Sequence, residues 1–316
     1  MKIEQELANV VPQREMLLTI GVFDGVHTGH CYLLESLKRR AQERKLLSGV
    51  VTFNPHPQLV LHPQRAIRCQ LLAISLKDRV KSLQELGMDL VAVLSFTPEL
   101  SQLSAREFMS LLVKHLRMRG IVVGPDFALG RGREGDVKLL RSLGQEMEFS
   151  VETMAPFTID GEIVSSTLIR QALAQGNMAK VERLMGRYFY LVGEIVSADK
   201  RGRSLGFPTA NLDIEPQQAL PGKGVYASIA QVDGKQLPSV TNVGTRPTFG
   251  NGKNWVETHL LNYEGNLYSK EIRVEFVQKL RGERVFASSE KLKAQIERDV
   301  QEAEAILSGV ASRSLC

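Results

Sequence analysis

The hydrophobic period of this chain changes once along its 316 residues, near Met185 to Tyr188, and that change restricts the fold more than any single motif. Before it, short runs that are apolar throughout alternate with helical stripes. Met16-Leu-Leu-Thr-Ile20, Gly49-Val-Val-Thr-Phe53, Leu90-Val-Ala-Val-Leu94 and Ile121-Val-Val123 have the character of strands buried on both faces. Leu33, Leu34, Leu37 and Ala41 trace one helical face among Lys38, Arg39, Arg40 and Arg44, and further helices are expected near residues 76–86 and 105–116. Such alternation predicts a parallel sheet covered on both sides. Beyond Arg187, residues 188–197, 224–230, part of 255–261 and 272–276 read as strands, in places with a clean period of two. Gly- and Pro-rich turns separate them, and no helical pattern returns until about Ser289, which predicts an antiparallel barrel. Leu292, Ile296, Val300, Ala303 and Ile306 then share one helical face, suited to packing on that barrel. The expected fold class is an α/β Rossmann-like domain over residues 1–185, followed over 186–316 by an antiparallel β-barrel domain with a C-terminal helix.

Composition removes several function classes. No apolar run approaches the roughly 18 residues of a membrane span, and the polar start Met-Lys-Ile-Glu-Gln-Glu-Leu is no secretory leader. Cys31, Cys69 and Cys316 are far apart and match no metal-ligand spacing, so a reducing cytoplasm is expected. Lys and Arg number 40 against 35 Asp and Glu, a net charge of +5 spread along the chain without a basic tail. A modest, dispersed excess suits anionic small molecules, and no nucleic-acid or membrane partner is expected.

The Brändén rule puts ligands of a parallel sheet at the carboxyl ends of its strands. The first strand runs into Gly21-Val-Phe-Asp-Gly-Val-His-Thr-Gly-His30, and then into a helix. A glycine-rich turn there lets a phosphate approach backbone amides at the positive end of a helix. His27 and His30, flanking Gly29, are suited to donate hydrogen bonds to a phosphate whose charge grows in a transition state. The pattern is neither a dinucleotide fingerprint nor a Walker A loop, and it reads as a nucleotidyl-transfer site. Two other expected strands end in polar turns, Asn54-Pro-His-Pro57 and Gly124-Pro-Asp-Phe-Ala-Leu-Gly130. In Ser165-Ser-Thr-Leu-Ile-Arg170, hydroxyls and helix-start amides offer an oxyanion cradle, with Arg170 a bidentate grip on phosphate; an ordinary N-cap is the plain alternative.

The second half carries Gly206-Phe-Pro-Thr-Ala-Asn-Leu212, Asn242-Val-Gly-Thr-Arg-Pro-Thr248 and Val256-Glu-Thr-His259. Thr209 and Asn211 stand two apart, on one face if the segment is extended, and their oxygens are hard ligands suited to Mg²⁺ beside phosphate and water. Glu257 is a candidate to accept a proton from an attacking hydroxyl. Each has an ordinary reading too, as a strand residue, a turn residue and a solvated edge charge.

With these motifs together, the whole chain resembles the bacterial bifunctional riboflavin kinase/FAD synthetases. The first half carries the nucleotidyltransferase signatures: the Gly21 to His30 turn, Thr52-Phe-Asn-Pro-His-Pro57, Val123-Gly-Pro-Asp-Phe-Ala-Leu-Gly130 and Ser165 to Arg170. The second half carries the kinase signatures, extended by Phe249 and by Leu280-Arg-Gly-Glu-Arg-Val-Phe286, and the motifs follow family order from about residue 17 to 300. The resemblance implies an FMN adenylyltransferase domain, then a riboflavin kinase domain, using ATP and Mg²⁺ to make FMN and then FAD. It implies that His27 and His30 stabilise the ATP α-phosphate while Gly21, Phe23, Asp24 and Gly29 line the nucleotide turn. Ser166, Thr167 and Arg170 would hold the leaving pyrophosphate, and Asn54 and Asp126 the flavin or nucleotide. Thr209 and Asn211 would bind Mg²⁺ and ATP phosphates, and Glu257 would be the base for the riboflavin 5′-hydroxyl.

Thr28, Pro125, Leu129, Asn262 and Ser269 depart from commoner family residues without removing a proposed catalytic group; Pro125 and Leu129 bear on flavin fit. A chain retaining one activity, or a basic flavin- or RNA-binding regulator, would have lost some of His27, His30, Thr209, Asn211 and Glu257. All five are intact. The sequence assigns no oligomeric state.

Overall fold

The computed structural model describes residues 2–66, 72–196, 206–245 and 254–310. Cys69, Cys316 and the Arg246-Pro-Thr-Phe249 end of one kinase motif lie outside them. The chain divides into two compact units, 1–166 and 167–316.

In the first unit the strands β1 (Met16–Ile20), β2 (Leu47–Asn54), β3 (Leu90–Ser95), β4 (Met118–Val123) and β5 (Ser150–Thr153) form a parallel sheet in the order β3-β2-β1-β4-β5. The chain builds outward from β1 through β2 to β3, then crosses back to β4 on the other side. That reversal opens a crevice between the carboxyl ends of β1 and β4, where doubly wound sheets bind nucleotides. Every residue of β1 is buried, which accounts for its unbroken apolar run apart from Thr19.

The longer helices are α1 (Lys2–Ala8), α2 (Thr28–Glu43), α3 (Leu76–Glu85), α4 (Ala105–Leu116) and α5 (Val137–Met147). Helix α4 starts in a capping box: Ser104 Oγ accepts from Glu107 N, and Glu107 Oε2 accepts from Ser104 N. Its Phe108, Met109, Leu112 and Leu116 are all buried, each contributing about 1.5–3 kcal/mol. They join Met16, Leu18 and Ile20 of β1 and Leu140 and Leu143 of α5 in one core. Helices α1 and α5 and strand β5 had no clear signal in the reading above. Cys31 of α2 is buried and disulfide-bonded, a bond its sequence spacing did not announce.

Helix α6 (Ser166–Gln175) begins on the last residue of the first unit; the rest of it and α7 (Met178–Met185) open the second. The strands β6 (Phe189–Val196), β7 (Ala210–Asp213), β8 (Gly224–Val232), β9 (Lys235–Thr245), β10 (Asn254–Leu260) and β11 (Glu271–Arg281) close a barrel in the order β6-β7-β10-β9-β8-β11. All its pairings are antiparallel, as the period of two predicts. The secondary structure changes where the hydrophobic period does, between Met185 and Phe189. The compact units divide earlier because α6 and α7 pack on the barrel. Gly222 N donates to Leu173 O at 2.8 Å, and an added Cβ at Gly222 would meet Ala174 O at 2.2 Å.

Inside the barrel, Ser228, Ser239, Thr241 and Thr258 are fully buried and satisfy one another. Ser228 Oγ lies 2.8 Å from Ser239 Oγ and 2.7 Å from Thr241 Oγ1, which donates to Thr258 Oγ1 at 2.8 Å. The closing helix α8 (Ser289–Leu307) lays Val300, Ala303 and Ile306 against Val225, Ala227 and Val240, as its stripe predicts. A nearly buried ion pair fixes it: Arg281 Nη2 donates to Asp299 Oδ2 at 2.8 Å.

Candidate active sites

The turn after β1 is held by its backbone. Phe23, Gly25 and Val26 have φ of 54°, 82° and 37°, so three left-handed residues fold four positions into a knot. Such a turn persists only when its surroundings fix it. Arg79 of α3, 3% exposed, donates from Nη1 to Val22 O at 3.0 Å and from Nη2 to Phe53 O at 2.9 Å, tying the ends of β1 and β2. Thr52 Oγ1 donates to Val22 O and Ser166 Oγ to Asp24 O, each at 3.0 Å. Burial lowers the Arg79 pKa and the nearby Asp24 opposes that shift. Asp24 is 2% exposed, and its Oδ1 accepts from Ala73 N at 2.8 Å. Asp24 thus helps to hold the turn.

His27 and His30 form a capping box of their own at the start of α2. His27 Nδ1 accepts from His30 N at 3.3 Å, and His30 Nδ1 accepts from His27 N at 3.4 Å. The rings stack with centroids 3.6 Å apart at 16°, and Phe23 packs on His30 at 5.0 Å. A neutral imidazole that accepts at Nδ1 carries its proton at Nε2, so the cap assigns both rings the Nε2–H tautomer. Two parallel N–H donors at a helix N-terminus match a phosphate gaining negative charge. Gly29 makes this possible, since an added Cβ would lie 3.2 Å from His27 Nδ1. Gly21 gives way similarly to the Phe23 ring, 3.1 Å from its own missing Cβ.

Asn54 ends β2, and Asp126 follows β4; both are exposed, at the carboxyl edge on either side of β1. Thr167 and Arg170 follow Ser166 on α6, where Arg170 Nη2 donates to Thr167 Oγ1 at 3.2 Å.

In the barrel the site residues form a row. Asn211 on β7 pairs in register with Glu257 on β10, which pairs with Asn242 on β9. Directly opposed residues on one face sit about 4.5–5.5 Å apart at Cβ, so amide, carboxylate and amide project together. Their neighbours Ala210, Thr258 and Thr241 are buried and alternate to the other face. Asn211 is 5% exposed, yet its Oδ1 has no hydrogen-bond partner among the described residues. A buried acceptor left this way needs a donor or a cation. Half-buried Thr209 directly precedes β7, its hydroxyl a second hard oxygen.

Two positioning residues have no role assigned from the sequence. Arg79 sits in a helix whose charge pattern resembles any solvated face. His259 lay inside a quoted motif without a role. Its Nδ1 lies 2.7 Å from Pro208 O, and its ring meets Phe207 edge-on at 5.5 Å, which pins the segment before Thr209 to β10. A His two residues after a candidate base, on the same strand face, is the signal that was available.

Comparison with known proteins covers both units. An FAD synthetase family model matches residues 10–168, and a riboflavin kinase model matches residues 185–307. The bifunctional riboflavin kinase/FMN adenylyltransferase of Escherichia coli strain K12 is 41% identical over 303 residues, covering 95% of this chain and 96% of that protein. The protein of the same description from Pseudomonas fluorescens is 39% identical over 316 residues, covering 99% and 100%. Among solved structures, a macrolide-efflux protein from Streptococcus pneumoniae aligns with a TM-score of 0.87 at 25% identity, covering 98% of each chain.

Proposed function

The chain belongs to the bifunctional riboflavin kinase/FMN adenylyltransferase family, which makes FMN from riboflavin and FAD from FMN with ATP, and on that premise we propose how its residues divide the work. The adenylyl transfer belongs to residues 1–185 and the phosphoryl transfer to 186–316. The observation that carries this division is the pair of dissimilar sites: stacked imidazoles on a helix cap, and an in-register carboxylate beside an unsatisfied buried amide oxygen.

For adenylylation, His27 and His30 donate from Nε2 to the α-phosphate of ATP as the FMN phosphate attacks it. Gly21, Phe23 and Gly29 shape the turn around the nucleotide, and Asn54 and Asp126 contact flavin or nucleotide from the neighbouring strand ends. Ser166 serves the departing pyrophosphate; the resemblance assigns Thr167 and Arg170 to the same step. For phosphorylation, Glu257 takes the proton of the riboflavin 5′-hydroxyl or orients it. Asn211 Oδ1 and Thr209 Oγ1 are the residues that would hold Mg²⁺. A Mg²⁺ ion held there would supply neutralisation of phosphate charge. Both reactions are direct displacements in which positioning and charge stabilisation supply most of the rate. ATP-dependent flavin synthesis fits a cytoplasmic enzyme. Among the described residues no helix is long and apolar enough to cross a membrane.

The test is a time course with riboflavin, ATP and Mg²⁺, separating the flavins chromatographically. FMN should appear first and FAD after it. An FMN-forming rate that collapses together with FAD synthesis in His30→Ala would sink the division of labour.

A further inference from the structure

We propose that the first unit carries a second anion site, for a condensed phosphate chain, at the amino edge of its sheet, opposite the edge that bears the nucleotide turn. A cleft of about 660 Å³ opens there, lined by Arg14, Arg44, Lys45, Lys114, Arg117 and Arg119 with a single carboxylate, Glu15. It gathers the residues just before β1, the turn between α2 and β2, and the turn between α4 and β4. Those three strands are adjacent in the sheet, so the cations converge from consecutive positions.

Helix C-termini attract cations, and part of the cluster needs no other reason. Arg44 pairs with Glu152, Lys114 Nζ with Glu4 Oε1 at 2.8 Å and Arg119 Nε with Glu15 Oε1 at 2.8 Å. Arg14, Lys45 and Arg117 are different. Among the described residues none of them has a carboxylate partner; Arg14 donates to Lys45 O, and Arg117 Nη1 to Gln13 O at 3.1 Å. Each guanidinium has five donors, so most of its capacity remains. Lys45 and Arg117 also occupy the left-handed region, with φ of 58° and 48°, at the ends of α2 and α4. Glycine is the relaxed residue at such positions. The chain holds a cation at both instead.

The lining names the class of ligand. It includes no aromatic side chain for a base or a flavin ring to stack on, and its apolar members are Leu46, Val113 and Met118. Recognition therefore rests on charge, and three uncompensated cations suit an anion of about three charges or more in a cleft of small-molecule size. A condensed phosphate has that chemistry, either free or as the tail of a nucleotide.

Lys45→Gly/Arg117→Gly removes two cations at positions where glycine relieves the backbone, so the variant keeps the fold, checked by its melting temperature. Equilibrium dialysis with tripolyphosphate should find one more bound equivalent in the native protein than in the variant. That extra equivalent should weaken as salt rises, and FAD synthesis should be unchanged in the variant. Displacement of the extra equivalent by ATP identifies a nucleotide tail as the source; persistence identifies free condensed phosphate. Equal stoichiometry in the two proteins overturns the site. So does tighter binding of a short RNA than of tripolyphosphate that the same substitutions abolish, which would make the edge a nucleic-acid surface.

Discussion

The two sites of this protein are built on opposite plans. After β1 the work is done by irregular backbone: Phe23, Gly25 and Val26 have positive φ, and a Cβ at Gly29 would press on the His27 ring at 3.2 Å. In the barrel Asn211, Asn242 and Glu257 sit on regular strands, placed by register alone. One site depends on conformations few residues tolerate, the other on which side chain occupies an ordinary position. Substitutions should therefore hurt in different currencies: geometry in the first, chemistry in the second.

The strongest challenge to that contrast is Glu257→Gln, which keeps shape and register while removing the proposed base. Riboflavin phosphorylation should fall about 10²- to 10⁴-fold, with FMN adenylylation measured on supplied FMN unchanged. Preserved kinase turnover would show that the row acts through something other than its carboxylate. His30→Ala should lower FAD synthesis on the order of 10²- to 10³-fold, as loss of an oxyanion donor does. FMN should then accumulate from riboflavin.

Gly29→Ala sharpens the contrast further. Alanine is favoured over glycine by about 1 kcal/mol in helix interiors, but at Gly29, in the first turn of α2, its Cβ presses on the His27 ring. Thermal stability should hold while FAD synthesis drops by about tenfold, because a small misplacement of a positioned group is costly. A fall in stability with activity retained would contradict the geometric reading. The smallest catalytic effect belongs to Thr241→Val. It interrupts the buried hydroxyl chain between Ser228 and Thr258 and should cost about 1–3 kcal/mol in denaturant unfolding. Kinase turnover in the folded protein should stay close to native.

What the sequence disclosed follows the same division. Runs such as Met16 to Ile20 and Ile272 to Phe276 announced their strands because burial imposes the apolar pattern directly. Strand β9 was less legible: Pro238 and Gly244 interrupt it, and both are ordinarily signs of a turn. The histidine cap could not be found by pattern either, since a capping box is normally sought as Ser or Thr followed by Glu or Gln. Asp24 is expected at the nucleotide turn from its place in the glycine-rich motif, and the hydrogen bond it accepts there could not be read from the sequence. Only the fold brings Ala73 to it from 49 residues away. Residues identified by chemical type were legible; roles created by distant chain were not.

Closure of the barrel has an evolutionary consequence. With no free edge, a strand cannot slide past its neighbours without disturbing the whole ring. Inserting a single residue ahead of Glu257 within β10 would turn the carboxylate inward and bring a residue from the hydroxyl chain to the outer face. Lineages that keep the kinase should therefore tolerate length changes in connections such as 262–270 and reject them within β7, β9 and β10. The row is inherited as a count of residues as much as a choice of them.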